Sequence, residues 1–272
     1  MQRDRSSDML RQCRELLRRY GVKPRRRLGQ NFLVSRGALD LIVGALDPQP
    51  GELVYEIGAG LGTLTAEVAA RGARVLAVEI DRKLIAALRD RFAGSALVDV
   101  VRGDALELPV PRADKVVSNV PYSISSKLLL KLLREQRYGL AVLTLQREFA
   151  LRLVAKPGTA DYGRLSVAAQ LYAEIEIVGS VSRRAFYPQP EVDSLVVRLR
   201  PRGEHLELFG DVERLTAALF SQRRRRLEKV ARGAGIDPKL LEGVVDVGKR
   251  VYELTPAEIL EIALALRSAA AP

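Results

Sequence analysis

Apolar residues recur at helical spacing from about Ser7 to Tyr20, at Leu10, Cys13, Leu16, Leu17 and Tyr20, before Gly21 and Pro24 end the pattern. The basic triplet Arg25-Arg26-Arg27 follows, and a second amphipathic stretch from about Gly37 to Leu46 stops at Asp47-Pro48. Beyond it the period changes. Short apolar runs near 53–57, 74–79, 97–102, 115–118 and 141–146 predict strands, and helical patterns near 62–71, 82–92, 125–136 and 147–155 fall between most of them. This alternation predicts an α/β fold on a parallel, doubly wound sheet, because parallel strands need crossovers that pack back on the sheet. Glu174 to Ser182 and Val192 to Arg200 read as two more strands, separated by the loop Phe186-Tyr187-Pro188-Gln189-Pro190. From about Asp211 the pattern turns wholly helical, with Leu215, Leu219, Leu227 and Val230. A last helix near 256–267 begins at Thr255-Pro256, an N-cap and first-turn proline. The change of pattern near Pro201 to Gly203 divides the chain into an α/β domain, residues 1–202, and a small all-helical C-terminal domain, residues 203–272.

Composition narrows the chemistry. The 272 residues are 47% hydrophobic, ample for a buried core. Single Cys13 and single His205 exclude a disulfide framework, a Cys/His zinc site and any triad built on imidazole and thiol, so no metal is expected. No apolar run approaches the roughly 18 residues of a membrane span, and the Arg-rich N-terminus is broken by acids, unlike a signal peptide. The expectation is a soluble cytoplasmic protein. A formal charge of +11 and a pI near 10.0 suit a polyanionic partner, nucleic acid foremost. Only 9 of the 44 basic residues are Lys, so a compositional Arg bias is a competing source of that charge. Asparagine occurs only at positions 31 and 119, and both lie in motifs.

The first strand after the second amphipathic stretch, Leu53 to Ile57, runs into Gly58-Ala59-Gly60-Leu61-Gly62, and a helix follows. Glycines at a strand-to-helix turn let a ligand approach the backbone at a helix N-terminus. A dinucleotide-binding turn wants Gly or Ala as the sixth residue of G-x-G-x-x-G, where this chain has Thr63, so a phosphate-free adenosyl ligand fits better. Glu79 closes the next strand about 20 residues after Gly58, where a carboxylate can accept both ribose hydroxyls. Asp104, in Gly103-Asp104-Ala105 at the following strand end, can accept from an adenine amino group or serve as an N-cap. All of these elements fall at the carboxyl ends of successive strands, where open α/β sheets bind ligands.

Ser118-Asn119-Val120-Pro121-Tyr122 follows the fourth strand of that series. An exocyclic adenine amine is a poor nucleophile because its lone pair is delocalised, and it must pyramidalise to attack a methyl donor. The Asn119 side-chain oxygen and the carbonyl of Val120 or Pro121 can accept its two hydrogens. Pro121 stiffens the turn and Tyr122 offers a face for a flipped base. Phe186, in its two-proline loop, is a candidate for the opposite face. Core packing is the competing reading for Phe186 or Tyr187.

These motifs closely resemble the small-subunit ribosomal RNA adenine dimethyltransferases, the kasugamycin-sensitivity enzymes and their archaeal and eukaryotic relatives. The resemblance runs from Leu28-Gly29-Gln30-Asn31-Phe32-Leu33 through the glycine turn, Val78-Glu79-Ile80-Asp81, Gly103-Asp104-Ala105 and the Asn119 run. It continues in Tyr162-Gly163-Arg164-Leu165-Ser166, the Phe186 loop and Phe220-Ser221-Gln222-Arg223-Arg224. It implies a Rossmann-like class I methyltransferase sheet and S-adenosylmethionine bound by Asn31, Leu33, Gly58, Gly60, Glu79, Asp104 and Asn119. It also implies Asn119, Pro121, Tyr122 and Phe186 at the chemistry, with Tyr122 and Phe186 sandwiching the target adenine. The implied product is N6,N6-dimethyladenosine at two adjacent adenosines near the 3′ end of small-subunit rRNA. The chain departs from the family at Val120, where Leu or Ile is usual, and at Arg225-Arg226, where Lys-Thr is common.

For the RNA, Arg25, Arg26 and Arg27 are expected at the mouth of the site, and Arg223, Arg224, Arg225 and Arg226 on a C-terminal helix whose face is either solvated or on phosphates. The assembling small ribosomal subunit is the implied partner and a monomer the expected state. Two rivals stay open: the macrolide-resistance methyltransferases of large-subunit rRNA, and a non-catalytic RNA-binding or transcription-factor relative. The Tyr162 to Ser166 segment and the basic helical tail favour the first reading over the second, and the intact Asn119 run argues against the third.

Overall fold

The computed structural model describes residues 2–25 and 29–269. Helix α1 (Gln2–Arg19) buries Cys13 and Leu17, and Gly21, at φ 60°, turns the chain out of it so that the Val22 N–H reaches the Leu17 carbonyl at 2.8 Å. A two-residue strand β1 (Phe32–Leu33) precedes α2 (Arg36–Leu46). The hydroxyl of Ser35 caps α2 through Ala38 N–H, and six apolar side chains from Ala38 to Leu46 are buried along one face. At roughly 1.5–3 kcal/mol per fully buried large apolar side chain, that face anchors the helix to the sheet.

Strands β2 (Leu53–Ile57), β3 (Arg74–Glu79), β4 (Val98–Arg102), β5 (Lys115–Asn119) and β6 (Leu140–Gln146) follow. Between them run helices α3 (Thr63–Ala69), α4 (Arg82–Arg91) and α5 (Ser125–Glu135). After β6 come α6 (Arg147–Leu153), α7 (Arg164–Tyr172), β7 (Ala173–Val181), the two-residue β8 (Phe186–Tyr187) and β9 (Ser194–Pro201). The main sheet has seven strands in the order β4-β3-β2-β5-β6-β9-β7. Strands β2 to β6 pair in parallel and β9 returns antiparallel to β6. Six consecutive residues of β6 are buried, as a strand covered on both faces requires. The order reverses between β2 and β5, the crevice where such sheets bind ligands. Outside this sheet, β1 and β8 pair antiparallel, Phe32 opposite Tyr187 and Leu33 opposite Phe186.

The chain divides into two compact units: residues 1–150 with 176–201, and residues 151–175 with 202–272. The expected boundary near 202 is therefore modified, because residues 151–175 pack with the C-terminal helices α8 (Phe209–Phe220), α9 (Leu227–Gly233) and α10 (Pro256–Ala269). The reason is visible at Tyr162 and Tyr172. The fully buried Tyr162 donates its hydroxyl to the Leu254 carbonyl at 2.8 Å and lies 5.9 Å from the Phe220 ring, while Tyr172 meets Phe209 at 4.7 Å. The second unit is also less helical than its apolar spacing suggests: residues 237–253 hold only short 3₁₀ turns, Pro238–Leu241 and Val251–Glu253. Among the described residues no helix is long and apolar enough to cross a membrane.

Candidate active site

A cavity opens at the carboxyl ends of β2, β3, β4 and β5, lined by Asn31, Leu33, Gly58, Gly60, Glu79, Asp104, Asn119 and Pro121, among others. Eight of the sequence-derived site residues, Asn31, Leu33, Gly58, Gly60, Glu79, Asp104, Asn119 and Pro121, thus meet in one place. The turn after β2 takes φ of 73°, 59° and 76° at Gly58, Gly60 and Gly62. At Gly62 a side chain would also collide with Phe92 Cε2 at 2.6 Å, so that glycine serves the packing of α3 on α4 rather than a ligand. Glu79 is 6% exposed and accepts three backbone N–H groups, from Gly60 at 3.0 Å, Ile80 at 2.8 Å and Asp81 at 3.0 Å. Burial raises its pKa from the usual range, and those three bonds oppose the shift. Asp104 Oδ1 accepts the Leu106 N–H at 2.9 Å, so the residue both caps its turn and lines the cavity.

Sequence reasoning missed Glu56. It is 1% exposed, lines the cavity and accepts a hydrogen bond from Thr65 Oγ1 at 2.6 Å. Burial pushes its pKa up to about 8, with the Glu79 charge adding to the rise. Its position inside an apolar strand, one residue before Ile57 and the glycine turn, was the available signal. Among the described residues that line the cavity are the acids Glu56, Glu79 and Asp104 and no Lys or Arg. Apolar walls with carboxylates and no cations suit a cationic adenosyl ligand and disfavour a pyrophosphate.

The two asparagines are joined. Asn119 Nδ2 donates to the Asn31 carbonyl at 2.8 Å, and Asn31 Nδ2 to the Gly29 carbonyl at 3.3 Å. With its nitrogen so engaged, the Asn119 amide is left with its oxygen as acceptor in the cavity. The Pro121 carbonyl accepts the Ile124 N–H at 3.0 Å in the short 3₁₀ turn Tyr122–Ile124. Gly29, also missed, lets the N-terminal segment lie on this run: at φ 63° its Cβ would stand 2.9 Å from Tyr122 N. The half-buried Tyr122 shares a 2.8 Å hydrogen bond with the buried Ser194 hydroxyl, and burial raises its pKa.

Phe186 departs from expectation. It is 4% exposed, packs in the core cluster with Leu33, Val181 and Ala185 where β1 pairs with β8, as the core-packing alternative expects, and is not among the residues lining the cavity. Its neighbour Tyr187 is half-buried on the other side, with the Arg14 guanidinium 5.0 Å over its ring. The arginine run also differs. Residues 221–226 form turns between α8 and α9 rather than a helix. Arg223 donates to the carbonyls of Tyr162 and Ala160, both at 2.7 Å, whereas Arg224, Arg225 and Arg226 are exposed. Arg25 is exposed, and Arg26 and Arg27 lie outside the described residues.

A sheet of this order, a glycine turn at its switch point and an acid-lined cavity define a class I, S-adenosylmethionine-dependent methyltransferase. The family model for ribosomal RNA adenine dimethylases matches residues 21–267, and the chain belongs to that family. It is 40% identical over 261 residues to the probable ribosomal RNA small subunit methyltransferase A of Pyrococcus abyssi, covering 93% of this chain and 95% of the relative. Among solved structures it is similar to a dimethyladenosine transferase from Plasmodium falciparum, with TM-score 0.78, 29% identity and coverage of 87% of this chain and 98% of that one. It is also similar to the 23S rRNA methyltransferase ErmE, with TM-score 0.62, 30% identity and coverage of 87% and 100%.

Proposed function

We propose that the chain dimethylates the N6 amines of two adjacent adenosines near the 3′ end of small-subunit rRNA. The observation that carries this reading is the Asn119 amide, oriented by Asn31 so that its oxygen accepts in an adenosyl-type cavity. Bound S-adenosylmethionine supplies an electrophilic sulfonium methyl. Asn31, Leu33, Gly58, Gly60, Glu79 and Asp104 would hold it, Glu79 toward the ribose hydroxyls and Asp104 toward the adenine amine. Asn119 Oδ1 and the Val120 carbonyl accept the two hydrogens of the target amine, since the Pro121 carbonyl is already engaged within its turn. Pyramidalisation then exposes the nitrogen lone pair, and no general base with a tuned pKa is needed. Tyr122, its ring fixed by Ser194, stacks on the flipped base.

The RNA is held through its phosphates by Arg25 to Arg27 and by Arg224 to Arg226, with Arg223 in a supporting role inside the second unit. The names of the relatives support the small subunit over the large one. In this reading the enzyme works as a monomer in the cytoplasm on assembling subunits. Incubation with labelled S-adenosylmethionine and unmethylated small or large subunits, followed by mapping of modified adenosines, tests it. Label confined to the large subunit overturns it.

A further inference from the structure

A second cavity lies at the carboxyl end of β6 and takes no part in the chemistry above. Its lining includes Gln146, Arg147, Arg183, Glu191, Val192 and Asp193. Three hydrogen bonds build its wall: Arg147 N–H to the Asp193 carbonyl at 3.0 Å, Arg183 N–H to Asp193 Oδ1 at 2.8 Å, and Arg183 Nη1 to the Glu191 carbonyl at 3.1 Å. Gln146 ends β6 in register with Ser194, whose hydroxyl holds Tyr122. Asn119 sits opposite Thr144, two residues earlier on the same strand. The cavity therefore borders the residues proposed to take the target base.

Its chemistry is not that of a simple phosphate site. Three carboxylates, those of Glu148, Glu191 and Asp193, face two guanidinium groups, and a clustered acid count of that kind repels a lone anion. What remains is suited to a nucleoside. The half-buried Gln146 carboxamide makes no side-chain hydrogen bond to another described residue, and a carboxamide can pair bidentately with an adenine edge, accepting from N6 and donating to a ring nitrogen. Val192, 43% exposed, gives an apolar surface beside it, and the exposed Arg147 and Arg183 stand at the rim where a phosphodiester would cross.

We propose that this cavity holds the base of the nucleotide next to the target adenosine, with Gln146 reading its adenine edge. The proposal rests on the reading of the chain as an adenosine N6 methyltransferase. It accounts for the first of the two adjacent adenosines: while that one occupies the Asn119 run, its unmethylated neighbour is held in register, and once a base is dimethylated it no longer offers Gln146 an N6 hydrogen.

The test uses the full chain with S-adenosylmethionine and an RNA carrying the two adjacent adenosines, and the same RNA with either one replaced by purine riboside, which lacks the N6 amine. The readout is kcat/KM for methylation of the remaining adenosine. For the wild type, one of the two replacements, the one that changes the base held by Gln146, lowers it on the order of tenfold, the effect of leaving one hydrogen-bonding group unpaired. Gln146→Ala lowers the rate on the unmodified RNA by a similar factor and abolishes the sensitivity to purine riboside, with cofactor affinity by calorimetry unchanged. Equal sensitivity in both proteins, no sensitivity in the wild type, or a loss of cofactor affinity in the variant overturns the proposal. A wild type that methylates neither adenosine of the unmodified RNA sinks instead the reading beneath it.

Discussion

Replacing Asn119 by Ala separates the catalytic role of its amide from its structural one. The side chain makes one hydrogen bond among the described residues, 2.8 Å from Nδ2 to the Asn31 carbonyl, and leaves its oxygen to the cavity. Truncation leaves the Asn31 carbonyl unpaired, which costs about 1 kcal/mol, the low end for a polar group that water can still reach. In a chain of this size that corresponds to a fall of about 2–4 °C in Tm. The catalytic loss is larger. An acceptor aimed at charge that develops only in the transition state contributes roughly 10²–10³ in rate, about 2.7–4 kcal/mol. Single-turnover transfer of label from S-adenosylmethionine to unmethylated RNA, at saturating RNA and cofactor, reads this directly. The expected result is a hundredfold or greater fall in rate with little change in cofactor affinity. A rate within tenfold of the wild type, or a loss recovered by more cofactor, would refute the amine mechanism and reduce Asn119 to a tie on the Asn31 segment.

Arg223→Ala, which strips two carbonyls of their donor, lowers stability by roughly 1.5–3 kcal/mol and leaves the salt dependence of RNA binding nearly intact. The triple change of Arg224, Arg225 and Arg226 to Ala does the reverse, reducing the slope of log K against log salt by about one per lost phosphate contact; equal behaviour of the two variants would show that the run is not so divided. Glu56, with its pKa pushed up to about 8 from 4.5, keeps in the native state a proton that the unfolded chain gives up, so its contribution to stability is full below pH 4.5 and is lost as the pH rises through about 8. Glu56→Gln removes that slope, and urea unfolding from pH 5 to 9 should show the variant gaining on the wild type as pH rises; parallel curves would discard the assignment. Phe186→Ala costs about 3–5 kcal/mol as a core truncation, while Phe186→Leu stays within about 1.5 kcal/mol and methylates at near wild-type rate. A hundredfold slower Phe186→Leu of unchanged stability would return the ring to the base.

What the chain's pattern disclosed depended on the range of the interaction. The strands β2, β3, β5 and β6 were legible because burial on both faces writes continuous apolar runs, as in β6, whereas β4, at the sheet edge and largely exposed, shows only its valines. Glu79, Asp104 and Asn119 were legible because each closes one of those strands. The pairing of β1 with β8 was not, since two residues carry no period, and Phe186 packs in the core where these two strands pair. The helix α7 was missed for a similar reason: Ser166, Val167, Ala168 and Ala169 are consecutive buried residues, so the segment is covered nearly all round and shows no amphipathic stripe. Its allegiance to the C-terminal helices follows from Tyr162 and Tyr172, whose ring and hydroxyl partners lie some 40 to 90 residues away in sequence. The arginine run was read as helix from the apolar spacing on either side of it, at Leu215, Leu219, Leu227 and Val230, although Arg223 spends its guanidinium on carbonyls that no local pattern reveals.

The buried carboxylates of the cavity show why residue type at a strand end is only half of a site argument. Glu56 and Glu79 stand on neighbouring strands, both under one-tenth exposed, and burial raises the pKa of each. Their partners then separate them. Glu79 accepts three backbone N–H groups that the turn after β2 and the start of α4 cannot withdraw, and those donors favour its charged form. Glu56 has the Thr65 hydroxyl and a view of the Glu79 charge, and it rises to about 8. The same residue type in the same cavity thus supplies one acceptor held in place by three backbone donors, fit for ribose hydroxyls, and one carboxyl whose pKa burial lifts to about 8. The backbone donors of Gly60, Ile80 and Asp81 work toward the charged form of Glu79, against both its burial and the Asp81 carboxylate, whose charge raises the Glu79 pKa.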